Sequence, residues 1–253
     1  MVAAPGQPAA SDPSASCGPQ RVVAVLGMHR SGTSLLAGTL EECGLHFGEV
    51  STAAPHNEKG NRESWLLIAL HEDLLRRAGG AWDQPPEGPV SWGGLHQQVR
   101  DLFIASFAGS PMWGFKDPRL LLVLPGWLDA IPSLETVGIF RHPHEVARSL
   151  HQRTPARVSL ERGLELWISY NRRLYDWHCR TGCPLLEFRA DQAGFNAAAA
   201  SVARGLGLHR TPAAQDLTFY ERQLRHQQAD QTPLPPEVEE LYGRLRRAVL
   251  PAA

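Results

Sequence analysis

Between residues 23 and 40 the chain reads VAVLGMHRSGTSLLAGTL: an apolar run, a turn bounded by Gly27 and Gly32, and the opening of a helical pattern. A strand that feeds such a turn into a helix N-terminus aims backbone N–H groups and the positive end of the helix dipole at one spot, which is a place for an anion. Gly27 and Gly32 permit the tight turn and a close approach. Ser31, Thr33 and Ser34 add hydroxyl donors. Phosphate loops of nucleotide hydrolases read G-x-x-x-x-G-K-[ST]. Here Thr33 holds the lysine position, and Arg30 stands inside the turn beside His29. The same residues would also serve as an unliganded helix cap.

Further cations sit where strands should end. Lys116 closes the apolar run MWGFK; taken alone, it reads as an ordinary lysine reaching water. Asp117 has two roles open to it, a pair with Arg119 or a cap on a helix opening at Pro118. Arg141 follows ETVGIF, where a nucleotide hydrolase would carry the acid that holds Mg²⁺. With Pro143 starting a helix, Ser149 falls two turns along it on the face of Glu145, while Arg148 reads as solvent-facing. An arginine fork suits phosphate. Cations at strand ends without a metal-binding acid suit an anion handled with no metal ion.

Transfer of a group to a hydroxyl needs a proton acceptor within hydrogen-bond reach. Glu63, Glu49 and His56 are candidates for such a role. Glu63 has a competing role, since a carboxylate at a helix start favours the dipole by about 0.3–1 kcal/mol.

These side chains need a scaffold. RVVAVLG (21–27) is nearly continuous and β-branched, as for a strand buried on both faces. Leu36, Leu40 and Cys43 keep helical spacing up to Gly44, and Leu67, Leu70, Leu74 and Ala78 mark a second helix that stops at Gly79-Gly80. Further helices are expected near 95–108, 143–153, 158–180, 191–206 and 237–248, and strands at 112–116, 135–141 and 184–189. This alternation predicts an α/β fold, three layers α/β/α around a mostly parallel sheet. Trp65, Trp82, Trp92 and Trp113 read as core or lid packing; Trp82 and Trp92 have lining of an apolar acceptor pocket as an equal alternative. The last helix, with Arg244, Arg246 and Arg247, reads as a solvated face.

The 253 residues allow one sizeable α/β domain. Lys plus Arg number 25 against 26 Asp plus Glu, a net charge of −1, which argues against a nucleic-acid binder. Residues 1–20, rich in Pro, Ala, Ser and Gly, read as a disordered lead-in without the pattern of a signal peptide. No run reaches the length of a membrane span. Cys17, Cys43, Cys179 and Cys183 lack metal spacing and read as reduced thiols of a cytoplasmic protein.

The motifs together resemble a family. GMHRSGTSLL is similar to the 5′-phosphosulfate loop of sulfotransferases that use 3′-phosphoadenosine 5′-phosphosulfate (PAPS), and FRHPHEVARSL to their 3′-phosphate segment. GFKDPRLLLVLPGWLDAIP resembles the lysine-bearing stretch of the bacterial and tyrosylprotein branches, and NEKGNRE and LRHQQ match bacterial members. The likeness runs from about residue 21 to 228 and implies a P-loop-like sulfotransferase fold over a single domain, 21–253, with acceptor-side loops at 45–62 and 80–94. It implies that Gly27, His29, Arg30, Ser31, Gly32, Thr33 and Ser34 grip the 5′-phosphate and sulfuryl group. By the same likeness Lys116 faces the bridging oxygen, Arg141 and Ser149 bind the 3′-phosphate, and Arg225 adds a contact. Asn57, Lys59, Gly60 and Glu63 match N-x-K-G-x-x-E, and Glu49 mirrors a base position of other branches. Relatives often have an aromatic where Asn61 or Arg62 stands.

The expected activity is sulfuryl transfer from PAPS, leaving adenosine 3′,5′-bisphosphate (PAP), to a hydroxyl of a small molecule or glycan, with no metal. A P-loop small-molecule kinase and a non-catalytic nucleotide-binding module on the same scaffold are the alternatives. The acceptor and oligomeric state stay open, a homodimer among the options.

Overall fold

In the computed structural model, residues 20–53, 59–189, 191–208, 210–220 and 232–249 are described. The lead-in 1–19, His56, Asn57 and Arg225 lie outside them. Among the described residues the strands are β1 (Arg21–Leu26), β2 (Met112–Lys116), β3 (Glu135–Arg141) and β4 (Leu185–Phe188). They form an all-parallel sheet in the order β2-β1-β3-β4. The helices are α1 (Thr33–Glu42), α2 (Trp65–Arg77), α3 (Gly94–Ala105), α4 (Leu120–Ala130), α5 (Pro143–Arg153), α6 (Leu160–Thr181), α7 (Gln192–Gly205) and α8 (Pro236–Ala248).

Alternation along β1 separates two cores. Val22, Ala24 and Leu26 face one apolar cluster with residues of α2 to α6 and α8, and Val23 and Val25 face another with α1 and α7. Helices therefore cover both sides, which is why the strands read as continuous apolar runs. The chain leaves β1 for the α1 face and leaves β3 for the α5 face, so the loops diverge between these neighbours. That divergence opens a crevice at the carboxyl ends, the usual ligand position in open parallel sheets. Gly27 is required beside it: a Cβ there would lie 2.5 Å from the Ile139 carbonyl oxygen and 2.7 Å from the Thr33 methyl.

Several expectations change. The helix after Lys116 begins at Leu120 with Arg119 before it, not at Pro118, and it carries Pro125 inside. Trp113 is core, but Trp65 is 74% exposed. Trp92 packs on Trp127, 5.9 Å between ring centres, and Trp82 lies 4.7 Å from the His29 ring. Arg148 is half-buried with an interaction of its own. Helix α8 buries Val238, Leu241 and Leu245, and its first turn is acidic through Glu237 and Glu239. No helix among the described residues is long and apolar enough to cross a membrane.

Gly38 tests the packing of the α1 face. An alanine Cβ there would come within 2.1 Å of the Phe219 ring, so Gly38→Ala should destabilise by about 1–3 kcal/mol in urea unfolding.

Candidate functional site

The turn after β1 brings its chemistry to the crevice through strained backbone. Arg30 has φ 66 and Gly32 φ 93; a non-glycine residue in the left-handed region costs about 1–2 kcal/mol. Helix α1 starts with no side-chain cap and no acid in its first turn, so its leading N–H groups and dipole face the crevice.

Arg30 donates from Nε to Ser149 Oγ at 2.8 Å and has no carboxylate partner among the described residues. Burial, with Arg153 and Arg141 adding like charge, pushes its pKa down to about 10, which leaves it cationic at neutral pH. Arg141, 7% exposed, donates from Nε to Glu145 at 2.6 Å, and its Nη1 lies 3.5 Å from the Arg30 carbonyl oxygen. Its guanidinium stacks over Phe188 at 4.8 Å, and the Trp167 indole N–H binds its carbonyl at 2.9 Å. Arg141 Nη2, Ser31 Oγ and His29 Nε2 are buried without a partner. Orphaned buried polar atoms are uncommon and call for an explanation; these three lie in the turn after β1 and at the end of β3. Ser149 and Glu145 share one buried face of α5, as the spacing predicts.

Lys116, 2% exposed, does not reach water. Its Nζ donates to Glu63 Oε1 at 2.5 Å, the Asn61 carbonyl at 2.8 Å and Ser34 Oγ at 3.1 Å. Glu63 sits just ahead of the α2 cap, Ser64, with its carboxylate turned to Lys116 rather than to the helix dipole. The preceding loop is built to place it. Gly60 has φ 75, and a Cβ would lie 2.2 Å from the Ser51 carbonyl oxygen. Arg62, itself at φ 55, bonds Glu41 at 2.7 Å and the Lys59 carbonyl at 2.6 Å. Lys59 Nζ binds the Thr218 and Phe219 carbonyls at 3.1 and 3.0 Å. Glu49 is exposed and makes no contact with Lys116, so of the two carboxylates only Glu63 joins the lysine.

Sequence reasoning offered the Asp117–Arg119 pair, which forms, but missed His71 as the second partner of Asp117. Asp117, fully buried, accepts from His71 Nδ1 at 3.1 Å, while His71 Nε2 accepts from the Trp127 indole at 3.0 Å. The indole can only donate, so His71 carries its proton on Nδ1. Asp117 Oδ1 takes the Arg119 backbone N–H at 2.8 Å and Nη1 at 3.1 Å, and Arg119 Nη2 reaches Glu72 at 2.7 Å. Burial alone would raise the Asp117 pKa, but the His71 bond and the Arg119 charge outweigh it and hold the carboxyl below the usual range. The signal was available: His71 stands on the buried face of α2 with Leu67, Leu70 and Leu74, a polar residue on an apolar stripe.

His29 is held well below its ordinary pKa, first by burial and then by the Arg119 charge, against the pull of Asp117. Comparison with protein-family models and with curated proteins finds no match.

Two outcomes follow. Asp117→Ala strips a buried network of its acceptor and should cost about 3–5 kcal/mol in chemical unfolding. His29 stays neutral when folded, so below its ordinary pKa only the unfolded chain gains that proton, and stability should fall by up to about 1.4 kcal/mol per pH unit below pH 6.5. Thermal unfolding of His29→Gln should show a shallower decline over that window than the wild type.

Proposed function

We propose that the chain is a PAPS-dependent sulfotransferase acting on a hydroxyl of a small molecule or glycan. The observation that carries this is Arg30, a half-buried guanidinium with no carboxylate partner among the described residues, beside Arg141 with a spare buried N–H. Two cations so placed suit a ligand rich in anionic oxygens, and the uncapped α1 N-terminus suits one of its phosphates. The motif likeness makes that ligand a donor with phosphates at both 5′ and 3′ positions. In this reading Ser31, Thr33, Ser34 and the turn N–H groups hold the 5′ end, and Arg30, Arg141 and Ser149 hold the 3′-phosphate between them. Arg30, bonded to Ser149, spans both ends.

Bound PAPS would supply an activated sulfuryl group on a phosphate leaving group. Lys116 offsets the negative charge that grows on the leaving oxygen, a term that is large in a dry site. Glu63 accepts the proton of the attacking hydroxyl. The acid next to β2, Asp117, is taken by His71 and Arg119, which favours this reading over a kinase in which it would hold Mg²⁺. In this reading Arg225 adds a phosphate contact, and His56 stands behind Glu63 and Glu49 as the remaining candidate for the base.

Calorimetry should find PAP bound more tightly than ATP, with or without Mg²⁺. Arg30→Ala and Arg141→Ala should each weaken PAP by about 10–100-fold, the scale of a charge-assisted hydrogen bond. Incubation with PAPS and a panel of hydroxylated acceptors should add sulfate by mass. Tighter binding of ATP than of PAP would overturn the assignment.

A further inference from the structure

An ammonium group has three N–H donors, and Lys116 spends all three on Glu63, Asn61 and Ser34. An anionic oxygen brought to Lys116 must displace one of them. The Asn61 carbonyl belongs to a stretch clamped by Arg62 and Lys59 on one side and by Gly60 against Ser51 on the other. Ser34 is fixed in the first turn of α1. Glu63 is the partner on a long side chain, and it is the one that an arriving anion repels.

We propose that the Lys116–Glu63 pair is a latch that donor binding opens: Lys116 passes from Glu63 to the leaving oxygen of the donor, and Glu63 is set free as the base. This rests on the reading in the preceding subsection. Glu63 is 8% exposed, so once released it is a buried carboxylate without its cation, a costly state that binding a proton relieves. Arg119 acts on it only from a distance, its guanidinium being bonded to Asp117 and Glu72. The consequence is an order of addition, donor before acceptor. Until the donor is in place the carboxylate is held by Lys116. Afterwards the acceptor O–H proton goes to Glu63 as the new oxygen–sulfur bond forms, and the electron pair of the breaking sulfur–oxygen bond goes to the phosphate oxygen at Lys116. The product PAP departs, Glu63 returns its proton to water, and the pair closes.

A latch and a mere support for Lys116 predict opposite signs. If the pair must open, Glu63→Gln removes what competes for Lys116, and PAP should bind at least about tenfold tighter than to the wild type. Transfer should be lost in the same variant. Lys116→Met should abolish that gain when combined with Glu63→Gln, because the gain is routed through the lysine. Calorimetry of PAP with the wild type, both single variants and the double variant reads all of this. Equal or weaker PAP binding by Glu63→Gln, or a gain that persists without Lys116, overturns the latch while the donor assignment stands. A wild type that does not bind PAP overturns both. Should Glu63→Gln not fold, Glu63→Asp, which draws the carboxylate back by one methylene, carries the test: tighter PAP binding supports the latch and no gain overturns it.

Discussion

Positive charge is buried or half-buried at the carboxyl ends of three adjacent strands, and the surrounding structure only partly answers it. Lys116 ends β2, Arg30 follows β1 and Arg141 ends β3, and the strand order sets them side by side. Burying a cation is costly unless it is paired. Lys116 has Glu63 and Arg141 has Glu145, but Arg30 is met by a neutral hydroxyl and faces like charge from Arg153 and Arg141. This imbalance, together with the backbone strain at Arg30, is the physical ground for the proposal of an anionic ligand.

Keeping such charges in place demands support from behind, and the molecule commits buried polar groups to it. Asp117 ties the end of β2 to α2 through His71 and to α4 through Arg119, with Trp127 fixing the histidine tautomer. Helix α2 in turn starts just after Glu63, so one network sets the strand that carries the lysine and the helix that follows its carboxylate. The loop at 59–63 adds a second tether through Glu41 and the Thr218–Phe219 backbone. Loss of the first tether leaves charge buried without its partner, and loss of the second frees the loop that carries Glu63, so the site's precision and the protein's stability rest on neighbouring bonds.

Parallel α/β sheets host many chemistries at this crevice, and the scaffold alone does not choose among them. The choice lies in which charges line it. The proposed group transfer, assisted by side-chain cations, rests on a turn with arginine and threonine in place of the hydrolase lysine and on a strand-end lysine opposite a carboxylate.

Much of the fold was legible in one dimension, because strand and helix periods and glycine stops are local. The runs at 21–27, 112–116 and 135–141 became the three strands that carry the site, and the Gly27–Gly32 turn met α1 where the pattern put it. The residue types at Arg30, Lys116, Arg141 and Ser149 were equally plain, since strand ends can be counted along the chain. What the chain could not state is who meets whom. Glu63 and Glu49 were both candidates, and only the folding of 59–63 against α1 turned Glu63 to the lysine and left Glu49 in water. The His71–Asp117 bond spans 46 positions, and no local period encodes it. Partnership between distant side chains is decided when packed layers force buried polar groups to satisfy one another, and that constraint exists only in three dimensions.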